Sequence, residues 1–289
     1  MAGESLPPTP TVRLRRLGAT LRRLREAANL TLEEAGAQLE RSLSSLSKIE
    51  NGRVRIPPRD LRVILDFYGV NEEPAREALL LLSRDARKRG WWQRYGDVLS
   101  PSYLDFISLE ADAAEICTFE TGLVPGLLQT QDYARAVIAA VPDTDGAARD
   151  VDQLLAVRMA RQEVLSRDHP LTLWAIVDEA LLHRHIGGRE VMRSQLQHLV
   201  QVGGSSHVTL QVLPYAVGAH AGINGPFTIL EFPEIADLDV VLLESQTSGL
   251  YLEQAEEVRR YRTIFNHLRA SAKSAAASRV MIEDIAKQL

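Results

Sequence analysis

The sequence predicts a mainly α-helical chain, with an N-terminal helical bundle followed by an α+β domain that contains a small sheet. Three observations support this prediction. Short amphipathic segments with helix caps fill the beginning of the chain, apolar segments typical of strands appear only after residue 170, and the net charge changes sign near residue 90. We therefore place a flexible tail at 1–12, a helical bundle with a linker helix at 13–89 and the α+β domain at 90–289.

The composition is that of a globular chain, with 45% hydrophobic and 25% charged residues among 289. Cys117 is the single cysteine, which excludes an internal disulfide and fits a reducing cytoplasm. The longest apolar runs, such as ALLLL at 78–82, fall far below the roughly 18 residues of a membrane span. The N-terminus also lacks the features of a secretory signal. We therefore expect a cytoplasmic protein with no membrane partner.

The charge is distributed unevenly along the chain. Residues 1–90 hold 17 Lys/Arg and 12 Asp/Glu, whereas residues 91–289 hold 16 and 26. Most of the basic excess lies between Arg13 and Arg62. This pattern indicates that the first part of the chain meets a polyanion. A solvated basic face is the alternative, and charge alone does not separate the two.

The first two helices are predicted from periodicity and caps. In LRRLGATLRRLREAAN the leucines fall on one helical face and the arginines surround the other. Asn29 is suited to end this helix in the left-handed conformation. Thr31 and Glu34 then form a capping-box pattern for a second helix, TLEEAGAQL.

A third, short helix is predicted in RSLSSLSKIENG, with Ser42 as its N-cap and Asn51-Gly52 as its end. Its mixture of serine and leucine suits a helix that buries one side and presents small polar groups on the other. A fourth helix is expected from about Arg59 to Tyr68, and a fifth follows Asn71. Five short helices in a basic region favour a DNA-binding bundle.

The segment LTLEEAGAQLERSLSSLSKIENGR resembles the helix-turn-helix of the lambda-repressor/Cro or Xre type, whose recognition helix often ends in Ser-x-Ile-Glu-x-Gly. This chain has Ser47 to Gly52 in the matching places, and the resemblance covers about residues 13 to 70. Two residues depart from the pattern. Glu40 stands where the turn usually has a glycine, so a positive φ there would be strained. Gly36 replaces the usual alanine, which permits a close approach of the second and third helices.

The resemblance implies which residues contact DNA. It places Leu43, Ser44 and Lys48 at base edges in the major groove, with Ser45 beside them, while Leu46 and Ile49 hold the helix on its bundle. Residues suited to phosphate contacts are Ser42, Asn51, Arg53 and Arg55.

Alternatives remain open for several of these residues. Leu43 either packs on a thymine methyl group or extends the core beside Leu46, and Lys48 contacts either a base or a phosphate. A solvated charge is the alternative for each single arginine. Because proteins of this type usually read two half-sites, the implied partners are double-stranded DNA and a second copy of the chain, with a pseudo-palindromic operator.

The second part of the chain is predicted to combine helices with a small sheet. Periodicity predicts helices at about 102–116, 131–141, 149–167, 179–186, 189–202, 253–270 and 274–288. Strands are predicted at 171–177, 208–213, 227–232 and 240–244.

A search for catalytic motifs finds no phosphate-binding loop, HExxH, CxxC or G-x-S-x-G pattern. His183 and His185 are two residues apart in a predicted helix, so they would point to different faces and make a poor metal pair. Glu244 and Asp178 lie at strand ends without a partner nucleophile or base. We therefore expect no enzymatic activity, no cofactor and no metal.

Several motifs of the second part occur together and in order: SLEADAAEI, VPGLLQTQDYARA, VRMARQEVL, VDEALLHRHIGG, VLPYAVGAHAG and FTILEF. In this order they resemble the C-terminal domain of the actinobacterial WhiJ-like regulators, which are Xre-type and have been described as antitoxin-like. The resemblance implies a domain that binds a small protein partner.

Two questions about this domain stay open. VPGLLQT is either a structural corner or a contact site for the partner. A small-molecule sensor is the alternative to partner binding, supported by the glycine-rich loop 218–225 with Tyr215, Phe227 and Trp174.

Overall fold

The computed structural model of the protein describes residues 12–85, 90–141, 150–232, 239–245 and 248–289. The chain divides into two compact units, Met1–Gly90 and Trp91–Leu289. Most of the predicted N-terminal tail lies outside the described residues, as does the end of the predicted linker helix.

The first unit contains five described helices, α1 Val12–Ala27, α2 Leu32–Gln38, α3 Leu43–Glu50, α4 Pro58–Phe67 and α5 Glu73–Asp85. Helix α2 begins at the predicted capping box, in which Thr31 and Glu34 bond each other's backbone. Helix α3 begins at Ser42, whose hydroxyl accepts from the Ser45 amide. These caps satisfy amide groups that the first turn of a helix leaves unpaired.

Helices α1 to α4 end in the same way, each with one residue in the left-handed conformation. These residues are Asn29, Glu40, Gly52 and Gly69. In each case the next amide reaches back to a carbonyl five residues earlier, as from Arg41 to Gly36 at 2.8 Å and from Arg53 to Lys48 at 2.8 Å. Such ends close a helix abruptly and allow the short turns that a small bundle needs.

The apolar faces of these helices form one core. Leu46 and Ile49 of α3 are buried in it, as predicted, together with Leu17, Leu21 and Leu61. Glycine also brings two of the helices close to one another. A Cβ atom on Gly18 of α1 would lie 2.5 Å from the Glu50 carbonyl oxygen, so α1 and α3 touch through backbone.

A buried ion pair also joins α1 to α3. The Arg25 guanidinium donates from Nε to Glu50 Oε1 at 2.8 Å and from Nη2 to Glu50 Oε2 at 3.0 Å. Its Nη1 donates to the Leu30 carbonyl at 2.7 Å, beyond the end of α1. Because both side chains are buried, each charge depends on the other for solvation. The pair therefore fixes the C-terminal end of α3.

The second unit is an α+β domain. Its described helices are α6 Pro101–Asp112, α7 Gln131–Ala139, α8 Val151–Arg161, α9 Glu179–Leu182, α10 Arg189–Val202, α11 Ala255–Ser271 and α12 Ala275–Gln288. Its described strands are β1 Glu115–Glu120, β2 Thr172–Asp178, β3 Val208–Leu213, β4 Phe227–Glu231, β5 Val240–Glu244 and β6 Gly249–Leu252.

The six strands form one mixed sheet in the order β3-β2-β1-β4-β5-β6. Strands β1, β2 and β3 are parallel, and β4, β5 and β6 add to them in antiparallel pairs. One face packs on α11 through a core that includes Phe119, Ile176, Phe227 and Phe265. The opposite face of β1 carries the alternate residues Ile116, Thr118 and Glu120.

The four predicted strands are confirmed as β2 to β5, whereas the predictions missed β1 and β6. The helix expected at 102–116 ends at Asp112, where Ala113 turns to an extended conformation. The following residues pair with β2 and β4 as a central strand. The alanines of EADAAEI favour a helix locally, but pairing on both sides overrides that preference.

The helix expected at 179–186 is also shorter than predicted. It is α9, which ends after one turn with His183 as its C-cap. His183 stacks on Tyr215, and His185 is exposed. Among the described residues no group of three or more His, Cys, Asp or Glu is placed to hold a metal ion.

We predict that Glu50→Ala lowers the free energy of unfolding of α3 by about 3–5 kcal/mol, because Arg25 would be left as an uncompensated buried charge. Hydrogen exchange of the α3 amides in the full chain measures this loss. Asp66→Ala is the control, since Asp66 pairs with Arg76 but is exposed. Exchange in Glu50→Ala as slow as in the unaltered chain would contradict the role of the pair.

Candidate nucleic-acid interface

Helix α3 has one buried face and one exposed face. Leu46, Ile49 and Glu50 are buried, while Leu43, Ser44 and Lys48 are exposed. Leu43 is 54% exposed, against 1% for Leu46 one turn later. Leu43 therefore does not extend the core in this structure, which removes that alternative. Helix α3 presents a leucine, small hydroxyls and one lysine to the outside.

The other predicted phosphate-binding residues flank this exposed face. Ser42 lies at the N-terminus of α3, where amide groups and the helix dipole favour an anion. Asn51, Arg53 and Arg55 follow its C-terminus, and all four residues are exposed. The Asn51 amide nitrogen donates to the Ser47 carbonyl at 2.7 Å, so its side chain is already partly engaged.

The basic side chains of this surface are available to meet an anion. Lys48, Arg53 and Arg55 make no ion pair with the described part of the chain. Arg59 and Arg62 of α4 were not predicted as contacts from the sequence. They are also exposed, and they make no ion pair with the described part of the chain. These side chains can therefore contact a phosphate without first breaking an ion pair, and the release of counterions from the phosphates favours the contact.

The turn between α2 and α3 is held by backbone contacts at the two residues that depart from the resemblance. Glu40 has a φ of 52°, a strained value for a residue with a side chain. Gly36 is buried, and a Cβ atom there would lie 2.8 Å from the Arg41 carbonyl oxygen. The positive φ considered for Glu40 is present, and the close contact at Gly36 is made by the Arg41 carbonyl in the turn between α2 and α3.

Two ion pairs that position α3 were missed at the level of sequence. Arg41 in the turn bonds Asp60 of α4 at 2.5 Å, and Arg25 bonds Glu50. Glu50 is the glutamate of the Ser-x-Ile-Glu-x-Gly pattern, so its place in that pattern has a structural cause. The motif could have indicated that Glu50 has a structural role, but it does not show that Arg25 is its partner.

Ionisation near the Arg25–Glu50 pair is controlled by burial and charge. The hydrogen bond to Glu50 raises the pKa of Arg25, which keeps the guanidinium charged. Burial, together with the Glu50 carboxylate, raises the pKa of Tyr68 to about 12, which keeps the phenol neutral. The Arg25 guanidinium therefore stays charged over the physiological pH range.

The segment VPGLLQT of the second unit has a defined structural place. Val124, Leu127 and Gln129 are buried. Gln195 binds this segment by donating to the Leu128 carbonyl and accepting from the Thr130 amide, both at 2.7 Å. The segment is thus a structural corner, and most of it is inaccessible to a protein partner.

The aromatic residues considered for a sensor pocket are not gathered around the loop 218–225. Phe227 is in the core, and Trp174 packs against that core while its indole nitrogen donates to Gln211. Tyr215 is 58% exposed. The three rings therefore do not form a common pocket with the loop.

Two further features bear on the class of protein. Cys117 is buried, and burial raises the pKa of its thiol, which makes it a poor nucleophile. None of the helices in the described segments has the length and apolar character needed to cross a membrane.

Comparison with protein families agrees with the two-unit organisation. A helix-turn-helix domain model matches residues 16–79, and a model described as a domain of unknown function, DUF5753, matches residues 103–284. No curated protein and no solved structure matches the chain. The helix-turn-helix match supports a DNA-binding regulator. The second match carries no function.

We predict unequal stability effects for the two leucines of α3. Leu46→Ala should lower the free energy of unfolding by roughly 2–5 kcal/mol, because it leaves a cavity in the core. Leu43→Ala should change it by less than about 0.5 kcal/mol, because the side chain is exposed. Hydrogen exchange of the α3 amides compares the two. Equal losses in both variants would show that Leu43 is part of the core.

Proposed function

The chain belongs to the DUF5753 family, and from its helix-turn-helix domain we propose that it is a sequence-specific DNA-binding transcriptional regulator acting in the cytoplasm. The observation that carries the proposal is the division of α3 into two faces. Its buried face is fixed by core packing and by Glu50, and its exposed face has the size and chemistry of a major-groove reader.

The exposed residues support separate roles in binding. Leu43 offers an apolar contact for a thymine methyl group, and the Ser44 hydroxyl can donate to or accept from a base edge. Ser45 is partly buried beside them. Lys48 is placed for a base or a phosphate contact. The residues that would set the register of the helix on the phosphates are Ser42, Asn51, Arg53 and Arg55.

We expect the phosphate-binding and base-binding residues to differ in salt dependence. Arg53→Ala should weaken binding to every duplex and reduce the slope of log K against log salt by about 1. Leu43→Ala should reduce the preference for the operator over a scrambled duplex, with a cost of about 1–3 kcal/mol on the operator only. Fluorescence anisotropy with the DNA upstream of its own gene measures both effects.

Lys48→Ala tests by the same measurement whether Lys48 contacts a phosphate or a base. A smaller slope of log K against log salt indicates a phosphate contact, and a smaller preference for the operator indicates a base contact. Arg22→Ala is the matched control, because Arg22 is exposed but already paired with Glu26 on α1. Absence of operator binding by the folded, unaltered chain at low salt would contradict the proposed function.

The proposal includes a homodimer. One α3 helix presents only a few side chains to a groove, and two copies would read half-sites about 34 Å apart on one face of the duplex. A pseudo-palindromic operator and a two-to-one protein-to-duplex ratio in analytical ultracentrifugation are the expected results. A one-to-one complex on the full operator would contradict this part.

The proposal also includes control by a small partner protein through the second unit, as for antitoxin-like regulators. Its support is the resemblance of the ordered motifs to the WhiJ-like domain and the acidic excess of residues 91–289. The test is to purify the chain from its native cells, identify the bound protein and measure its effect on operator binding.

We propose no catalytic activity. Turnover of any compound in a broad substrate panel would contradict this proposal.

A further inference from the structure

A cavity of about 170 Å³ lies in the second unit on the face of the sheet opposite α11. Its floor is formed by the side chains of β1, β4 and β5 that alternate away from the core, including Thr118, Glu120 and Thr228. Its walls are α6, α8 and the corner 123–129. This face of the central strands therefore carries polar and ionisable side chains, whereas the face that packs on α11 is apolar.

Part of the wall is a closed ion pair. Arg161 of α8 donates to both carboxylate oxygens of Glu110, at 2.7 and 2.6 Å, and to the Tyr103 hydroxyl. Burial disfavours the charge on Arg161, but Glu110 and Tyr103 raise its pKa, so the guanidinium stays protonated. The two charges of this pair therefore cancel, and the pair joins α8 to α6.

Three other ionisable side chains around the cavity have no such partner. Arg158 donates from Nη1 to Gln129 Oε1 at 2.9 Å, and its Nε is buried without a partner among the described residues. The Glu120 carboxyl accepts from the Thr118 hydroxyl at 3.3 Å. Glu244 lies at the exposed rim. No ion pair within the described residues involves any of the three.

Arg158 and Glu120 are partly buried without an ion-pair partner, and a site that retains such ionisable groups is a candidate for binding a ligand of complementary charge. Two carboxyl groups, Glu120 and Glu244, suit an ammonium group. The Arg158 guanidinium, with unused donors, suits a carboxylate. Pockets for drug-sized ligands have volumes of roughly 300–1,000 Å³. A cavity of about 170 Å³ therefore fits a smaller molecule.

We propose that this cavity binds a small zwitterion of the amino-acid class, with its ammonium group between Glu120 and Glu244 and its carboxylate on Arg158. The proposal concerns the second unit alone and does not depend on DNA binding. The site differs from the loop 218–225 that the sequence suggested, because none of the residues of that loop lines this cavity.

Binding should release a proton. Burial, together with the Glu244 carboxylate, raises the pKa of Glu120 to about 8, so its carboxyl is mostly protonated at neutral pH. An ammonium group beside it favours the ionised form, and the proton passes to the buffer. Affinity should therefore rise as the pH increases towards 8. The charged and titratable groups that surround Glu120 include Arg158 and Arg161 of α8, Glu110 and Tyr103 of α6, Tyr133 of α7 and Glu244 of β5.

The test is calorimetric titration of the full chain with each proteinogenic L-amino acid. At least one should bind with a millimolar or lower Kd. Its N-acetyl derivative, which lacks the ammonium group, and its carboxamide, which lacks the carboxylate, should each bind at least about tenfold more weakly. Titration in buffers of different ionisation enthalpy should show proton release at pH 7.

Glu120→Gln, which keeps the shape of the side chain, should weaken binding at least about tenfold and abolish the proton release. Arg158→Met should weaken binding similarly. Glu115→Gln is the matched control, because Glu115 is a half-buried glutamate on the same strand whose pKa is also raised by burial, but it points to the other face. Thermal melts confirm that each variant is folded.

Three results would overturn the proposal. They are the absence of binding by every amino acid, equal binding of the blocked derivatives, and unchanged affinity in Glu120→Gln. Loss of operator binding with intact amino-acid binding would count against the proposed regulator function alone, so the two proposals fail separately.

Discussion

The buried pair between Arg25 and Glu50 is the constraint on which the presentation of α3 depends. Glu50 is in the last turn of α3, and Arg25 in the last turn of α1 also binds the Leu30 carbonyl beyond its own helix. One guanidinium therefore links the end of α1, the turn that follows it and the end of α3. With the close backbone contact at Gly18, this leaves α3 little freedom to rotate. A reading helix benefits from such rigidity, because ordering it on DNA then costs little entropy.

The second unit uses its sheet differently on its two faces. One face is closed by α11 with aromatic and aliphatic side chains, and it supplies the core. The other face carries Thr118, Glu120 and Thr228 on the central strands and leaves a cavity above them. Thr118 shares a hydrogen bond with Thr228 and donates to Glu120, so part of this polar face is satisfied within the sheet.

Local patterns predicted the first unit well and the second only in part. The caps at Thr31 and Ser42 and the burial of Leu46 and Ile49 depend on neighbours within one or two turns, which sequence periodicity records. The exposed face of α3 could be predicted for the same reason, since it is the remainder of the same short helix.

The features that the sequence did not predict join residues far apart in the chain. Strand β1 was missed because its alanine-rich approach favours a helix and its partners are distant, as in the pairing of Glu115 with Thr172 of β2 and of Phe119 with Phe227 of β4. The Arg25–Glu50 pair and the cavity around Glu120 are of the same kind. Periodicity within one helix or strand contains no information about such contacts, so they required the three-dimensional structure.

Thiol protection tests the central claim, that the exposed face of α3 enters a DNA groove. Cys117 is buried, so a cysteine introduced by Ser44→Cys would be the reactive thiol of the chain. The account predicts that operator DNA slows the reaction of this thiol with a soluble disulfide reagent, while a thiol introduced by Val280→Cys on the exposed side of α12 in the second unit reacts as before. A Ser44→Cys thiol that reacts equally fast in the free chain and in a demonstrated DNA complex would contradict the account.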